Sequence, residues 1–169
     1  MRTKKHQISV VCDNIRSLYN VGAIFRTSDG VGLIKKIYLT GMTGYPKPDD
    51  PNWTQTAKIA KTALGAEKTI PWEYYKDSVK LVKKLKNLGQ NIYVLENNIP
   101  KRRIYNYSKI KYKFPLTLVI GHEVKGVKPS ILEIADKIIN IPMRGQKESL
   151  NVEVAFAISV YEIQKQILA

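Results

Sequence analysis

Along the chain, short runs of apolar and β-branched residues alternate with stretches whose apolar positions recur every three or four residues. Runs at Ile8–Cys12, Ile37–Thr40, Thr69–Trp72, Ile92–Leu95, Leu116–Ile120 and Lys137–Ile141 predict β-strands. Several are apolar at consecutive positions, the pattern of parallel strands covered on both faces. Helical spacing predicts helices over Val21–Gly30, Thr54–Ala63, Asp77–Asn87, Ser130–Ala135 and Asn151–Lys165. Strand–helix alternation through 169 residues, with no repeat and no linker, implies one domain spanning residues 1–169. Its class is α/β, a largely parallel sheet flanked by helices.

Three segments fit this pattern less simply. Gly41–Asn52 carries Gly44, Pro46 and Pro48 before Asp49-Asp50-Pro51 and is expected to be a mobile flap. Pro100–Pro115 reads as a loop with Lys101, Arg102, Arg103, Lys109, Lys111 and Lys113 and no acid. Tyr105, Tyr107 and Tyr112 lie between these cations, either as rings for base stacking or as rings packed on the core. The last helix is apolar around most of its circumference, with only a narrow polar strip at Ser159, Glu162 and Gln166. Such cover implies burial on two sides, and a second copy of the chain is the expected partner.

Composition excludes several classes. Apolar residues make up 44% and charged residues 25%, which excludes a disordered tail, a fibre and a disulfide scaffold. No run of eighteen apolar residues offers a membrane span, and the basic start does not read as a signal peptide. The 28 Lys and Arg against 14 Asp and Glu give +14, which suits a polyanionic partner or serves solubility. The Lys76, Lys80, Lys83, Lys84 and Lys86 row reads by itself as a solvated helix face. Cys12, the one cysteine, reads as core filler in a reducing compartment, so a cytoplasmic location is expected.

The common catalytic patterns are missing: no glycine-rich dinucleotide loop after the first strand, no phosphate loop, no nucleophile elbow and no zinc-ligand set. Three other segments carry the chemistry. The first is Asn20-Val21-Gly22-Ala23-Ile24-Phe25-Arg26. Here Val21, Ile24, Phe25 and Ser28 share one helix face, Arg26 points away from it, and Asn20 stands where an N-cap is expected. In the second, Leu118–Val127, an apolar strand runs into Gly121, Glu123 and Gly126 at the strand end where α/β folds bind ligands. The third is Ile141-Pro142-Met143-Arg144-Gly145, continuing through Ser149-Leu150-Asn151-Val152 into the last helix. Taken singly, each has a plain reading as a solvated charge, a turn or an N-cap.

In this order the three segments resemble the signature motifs of the SpoU/TrmH family of S-adenosylmethionine-dependent RNA ribose methyltransferases, part of the SPOUT superfamily. The resemblance runs from about Ile8 to Ile163. It implies a C-terminal deep trefoil knot and S-adenosylmethionine as methyl donor with S-adenosylhomocysteine as product; the apolar last helix adds the expectation of a homodimer, and no metal is expected. It also implies tRNA or rRNA as substrate; tRNA is the expected one of the two because small size suits a compact substrate. Asn20, Arg26, Glu123, Ser149 and Asn151 match the polar motif residues, Arg26 falling on the family's catalytic arginine. The donor is expected against Leu95, Gly121, Glu123, Ile141, Met143, Ser149 and Leu150. A guanidinium holds its proton, so Arg26 is expected to clamp the target phosphate rather than act as base. His122 and Glu153 depart from the Asn and Ser frequent at their positions. A silent RNA-binding protein of this fold, or a base methyltransferase, are the alternatives.

Overall fold

The computed structural model describes residues 6–47, 49–50, 52–97, 99 and 103–168. Among the described residues, seven strands form one sheet: β1 (Ile8–Asp13), β2 (Ile34–Thr40), β3 (Trp72–Tyr75), β4 (Asn91–Leu95), β5 (Ile104–Asn106), β6 (Leu116–Gly121) and β7 (Lys137–Asn140). Their order is β3-β2-β1-β6-β4-β7-β5, and every pairing is parallel. All six residues of β1 and of β6 are buried, as expected of mainly apolar central strands, and the burial takes in the polar Ser9, Asp13 and Thr117.

Alternation along each strand divides the core in two. Ile8, Val10 and Cys12 of β1 join Leu118, Tyr93 and the buried faces of α1 (Leu18–Val31), α2 (Thr54–Ala63) and α6 (Val152–Leu168). Val11 points the other way, with Val119, Val94 and the apolar sides of α4 (Ser78–Asn87) and α5 (Pro129–Ile134). Cys12 is fully buried in the first cluster, the core role expected of it. α1 lies tightly on α2 because Gly22 presses its backbone against Ile59 and Thr62, where a Cβ would collide.

Several expectations are corrected. α1 begins at Leu18, and its cap is Ser17, whose Oγ accepts the Asn20 N–H at 3.2 Å. Asn20 is therefore inside the first turn and its side chain is free for other work. The third strand lies at Trp72–Tyr75 rather than Thr69–Trp72. Thr69 closes a short helix α3 (Ala66–Thr69), and Pro71 enters the ladder only through its carbonyl, accepting from Ile37 N–H at 2.9 Å. The expected loop at 100–115 contains β5, an edge strand of three residues that needs only β7 as neighbour.

Ser159, assigned to the polar strip of the last helix, is fully buried beside Phe156, Val160 and Ile163. A small residue on the packed face is read as polar by a helical wheel, yet lets the helices approach. Val154 and Tyr161 on the same helix stay largely exposed. In the expected flap, Thr43, Gly44 and Pro46 are buried, and the Tyr45 ring packs 4.6 Å from Tyr74. The described part of that loop is docked on the sheet edge.

Candidate active site

β6 enters the sheet between β1 and β4, and β7 enters between β4 and β5, both of them after their neighbours in sequence or between earlier strands. The carboxyl ends of β4, β6 and β7 consequently converge, and the loops leaving them wall a cleft of about 280 Å³. Leu95, Ile120, Ile141, Leu150 and Ala155 supply apolar surface, and Glu96, Glu123, Glu148, Ser149 and Asn151 supply polar groups. Of the seven residues assigned to the donor, Leu95, Gly121, Glu123, Ile141, Ser149 and Leu150 line this cleft. Met143 does not; it is half-buried farther along the 141–151 loop.

The first motif joins the cleft through hydrogen bonds. Glu123 accepts the backbone N–H groups of Arg16 at 3.1 Å and Ser17 at 3.0 Å, and the Asn20 Nδ2–H at 3.2 Å. Asn20 Oδ1 in turn accepts from Asn151 Nδ2 at 3.2 Å. Asn151 Oδ1 accepts the N–H groups of Glu153 at 2.9 Å and Val154 at 3.4 Å, capping α6. One chain of contacts thus runs Glu123–Asn20–Asn151, joining the starts of α1 and α6 to the loop after β6. Partial burial raises the Glu123 carboxyl, but the N–H donors of Ser17 and Arg16 outweigh it and hold the group below the usual carboxylate range.

His122, one of the two departures from the resemblance, lies in the loop after β6. Its Nδ1 accepts the N–H groups of Val124 at 3.0 Å and Lys125 at 3.2 Å, closing the turn that ends at Gly126. Gly121 is required because its Cβ would strike the backbone of Val127. Glu153, the other departure, accepts from Thr27 Oγ1 at 2.6 Å and ties α6 to α1.

Arg26 is not brought to this cleft. It is exposed on α1, about 9 Å along the helix from Asn20, in a separate depression with Thr27, Lys61, Thr62, Glu153 and Tyr161. In the 100–115 segment, Lys101 and Arg102 lie outside the described residues, while Arg103, Lys109, Lys111 and Lys113 are exposed. The tyrosines there are half-buried against the core, which favours packing over stacking. Tyr112 Oη donates to Tyr107 O at 2.7 Å, and Arg103 and Lys137 lie 4.9 and 4.2 Å from the Tyr105 ring centre.

Sequence reasoning missed Glu96, Asn97 and Glu148, which also line the cleft. Their one signal was position, two of them directly after a predicted strand ending at Leu95. Among the described residues, no group of three or more His, Cys, Asp or Glu could hold a metal, and no helix is long and apolar enough to cross a membrane.

Comparison with known proteins gives a consistent picture. Residues 7–161 match the model of the SpoU rRNA Methylase family. The chain is 34% identical over 166 residues to a tRNA (guanosine(18)-2'-O)-methyltransferase of Aquifex aeolicus, covering 98% of this chain and 72% of that protein. It is 30% identical to a 23S rRNA (guanosine-2'-O-)-methyltransferase RlmB of Haemophilus influenzae, over 98% of this chain and 63% of that one. The solved structure of the A. aeolicus TrmH/SpoU tRNA modifying enzyme superposes with a TM-score of 0.77 at 35% identity, covering 96% of this chain and 77% of that one.

Proposed function

The chain belongs to the SpoU rRNA Methylase family, and from that premise we propose that it transfers a methyl group from S-adenosylmethionine to a ribose 2'-hydroxyl of tRNA or rRNA. The observation that carries the reading is the single cleft at the ends of β4, β6 and β7. It gathers six of the seven residues assigned to the donor, and the Glu123–Asn20–Asn151 contacts brace it. Its lining suits the donor, with aliphatic surface from Leu95, Ile141 and Leu150 for a flat ring and carboxylates of Glu123 and Glu148 for positive charge.

S-adenosylmethionine, when bound, supplies an already activated methyl on a sulfonium. The residues of the chain have then to orient the acceptor and exclude water, and orientation contributes on the order of 7–11 kcal/mol in favourable cases. Glu123, fixed by two backbone N–H groups, stays ionised and holds the entry of α1 against the cleft. Asn20 and Asn151 hold the two helix starts in register. Arg26 offers a planar, charged fork to the phosphate next to the target ribose.

Because Arg26 faces away from the cleft of its own chain, this reading includes a homodimer in which Arg26 serves the partner's cleft. The exposed Val154 and Tyr161 of α6, the latter in the Arg26 depression, supply apolar surface for the contact. The trefoil knot belongs to the same reading; β6 and β7 enter between other strands, as a threaded C-terminal region requires. Exposed Arg103, Lys109, Lys111 and Lys113, with the +14 charge, are read as phosphate contacts. A cytoplasmic location goes with an RNA substrate and a free buried Cys12. tRNA is preferred because the similarity to a tRNA (guanosine(18)-2'-O)-methyltransferase, at 34% identity, exceeds that to a 23S rRNA enzyme, at 30%.

The test is chemical. Purified chain, methyl-labelled donor and either tRNA or rRNA are incubated, and the RNA is digested and analysed by mass spectrometry. A nucleoside carrying the label on its ribose is the expected product. Label on a base, or no label in either RNA, would overturn the reading.

A further inference from the structure

Two residues that follow β4 tie the walls of the cleft to each other. The Glu96 N–H donates to Ile139 O at 3.0 Å, carrying the ladder with β7 one step past the end of β4. Its Oε2 accepts the Val127 N–H at 2.9 Å, and its Oε1 accepts the Asn97 N–H at 2.9 Å. Asn97 reaches the opposite way: its Nδ2 donates to Glu148 O at 3.1 Å and lies 3.5 Å from Ile141 O. Gly126, at φ 68°, lays its backbone directly on the Glu96 carboxylate, where a Cβ would collide. From one strand end, adjacent side chains grip the loop after β6 and the loop after β7.

Those two loops supply most of the cleft wall, Gly121–Gly126 on one side and Glu148–Val152 on the other. Their separation decides whether a ligand meets both walls at once. A side-chain amide that spans a gap to a backbone carbonyl fixes such a separation far better than apolar contact, because its reach and direction are both set. We propose that Glu96 and Asn97 are positioning residues, a two-sided clasp that sets the width of the cleft and thereby the affinity for the methyl donor. The inference rests on the cleft being the donor site. The clasp acts through the loops and not on the reacting atoms, so it governs binding and leaves the transfer step nearly unchanged.

Two substitutions at Asn97 separate the clasp from simple loss of packing. Asn97→Ala removes the N–H donor. Asn97→Asp keeps the shape but turns a carboxylate oxygen toward the carbonyls of Ile141 and Glu148, so it pushes the loop away. Calorimetry with S-adenosylmethionine is expected to give a Kd raised at least tenfold for Asn97→Asp and severalfold for Asn97→Ala. kcat at saturating donor stays within threefold of the wild type, and melting temperatures stay within a few degrees. Glu96→Gln retains an oxygen for the Val127 N–H and is expected to bind within threefold of the wild type, whereas Glu96→Ala falls with the Asn97 variants. Wild-type binding with Asn97→Asp within twofold of it overturns the clasp alone, as does a kcat that falls while Kd holds. Failure of the wild type to bind the donor removes the premise and the clasp together.

Discussion

The cleft and the Arg26 face share helix α6, through Val152 and Ala155 on one side and Glu153 and Tyr161 on the other, and have opposite characters. At the cleft, several polar side chains are held by another part of the chain: Glu123 by Arg16, Ser17 and Asn20, Asn20 by Asn151, and Asn97 by Glu148. Each partner comes from a distant segment, so folding alone sets the geometry and little ordering remains when a ligand arrives. The Arg26 face is an open depression beside Thr27, Lys61 and Tyr161, with Arg26 itself exposed. A charged side chain left there gains little in stability, so its value lies in meeting something outside the chain. On the proposed reading, the contrast separates a site completed by folding from one that would be completed by assembly and by RNA.

Arg26→Ala tests that separation most severely. On the assembled reading it removes a transition-state contact and no fold contact. Activity is expected to fall about 10²–10³-fold, the cost typical of losing one preorganised electrostatic group, while donor affinity stays within twofold and melting is unchanged. Mixing this variant with one whose cleft is blocked, for example Leu150→Arg, is expected to restore about a quarter of wild-type activity, since half the random dimers are mixed and each carries one intact site. No recovery on mixing would place Arg26 in its own chain's site and erase the contrast.

Glu123→Ala attacks the other side of the comparison and should show in stability as well as binding. It leaves the N–H groups of Arg16 and Ser17 without their carboxylate at the entry of α1. A loss of about 0.5–2 kcal/mol is expected, the range for deleting a helix-entry acceptor, read as a lower urea midpoint at constant slope. Donor affinity should fall with it, since Glu123 lines the cleft. Glu123→Gln keeps one acceptor oxygen and is expected to lie between the two. If Ala at 123 changed neither quantity, the bracing would be incidental.

The same contrast explains what the chain reveals before it is folded. The buried face of α1 is written in Val21, Ile24, Phe25 and Ser28, because burial of a helix stripe is a local periodic property. Six residues that line the cleft were named through motif resemblance, since their chemistry is weak one residue at a time. Asn20 was misread as a cap because Ser17 and Asn20 both have capping chemistry, and only the path of the loop after β1 chooses between them. β5 was hidden in a basic, tyrosine-rich stretch because three residues at a sheet edge carry no period of their own. Glu96 and Asn97 were invisible for a different reason. Their partners, Val127 and Glu148, are 31 and 51 residues away, and no local rule joins them.

Acid titration offers the finest test, with the smallest expected effect. Glu123 has a carboxyl held below the usual range in the folded chain, so the unfolded state binds the proton more readily. Its contribution to stability is fully present above the unfolded value, about 4.3 for a glutamate. It is lost as pH falls through the lower, folded value. The group is largely open to solvent, so after screening the effect is expected to stay below about 1 kcal/mol. Glu73, paired with Lys36, and Asp77, capping α4, are depressed as well. Their losses occur equally in a Glu123→Gln variant and cancel in the difference. The difference in melting temperature between wild type and Glu123→Gln should thus be flat from pH 7 to pH 5 and shrink below pH 4.5. A difference that persists unchanged to pH 3 would mean that Glu123 braces α1 by shape rather than by charge, and the electrostatic part of the cleft's rigidity would have to come from elsewhere.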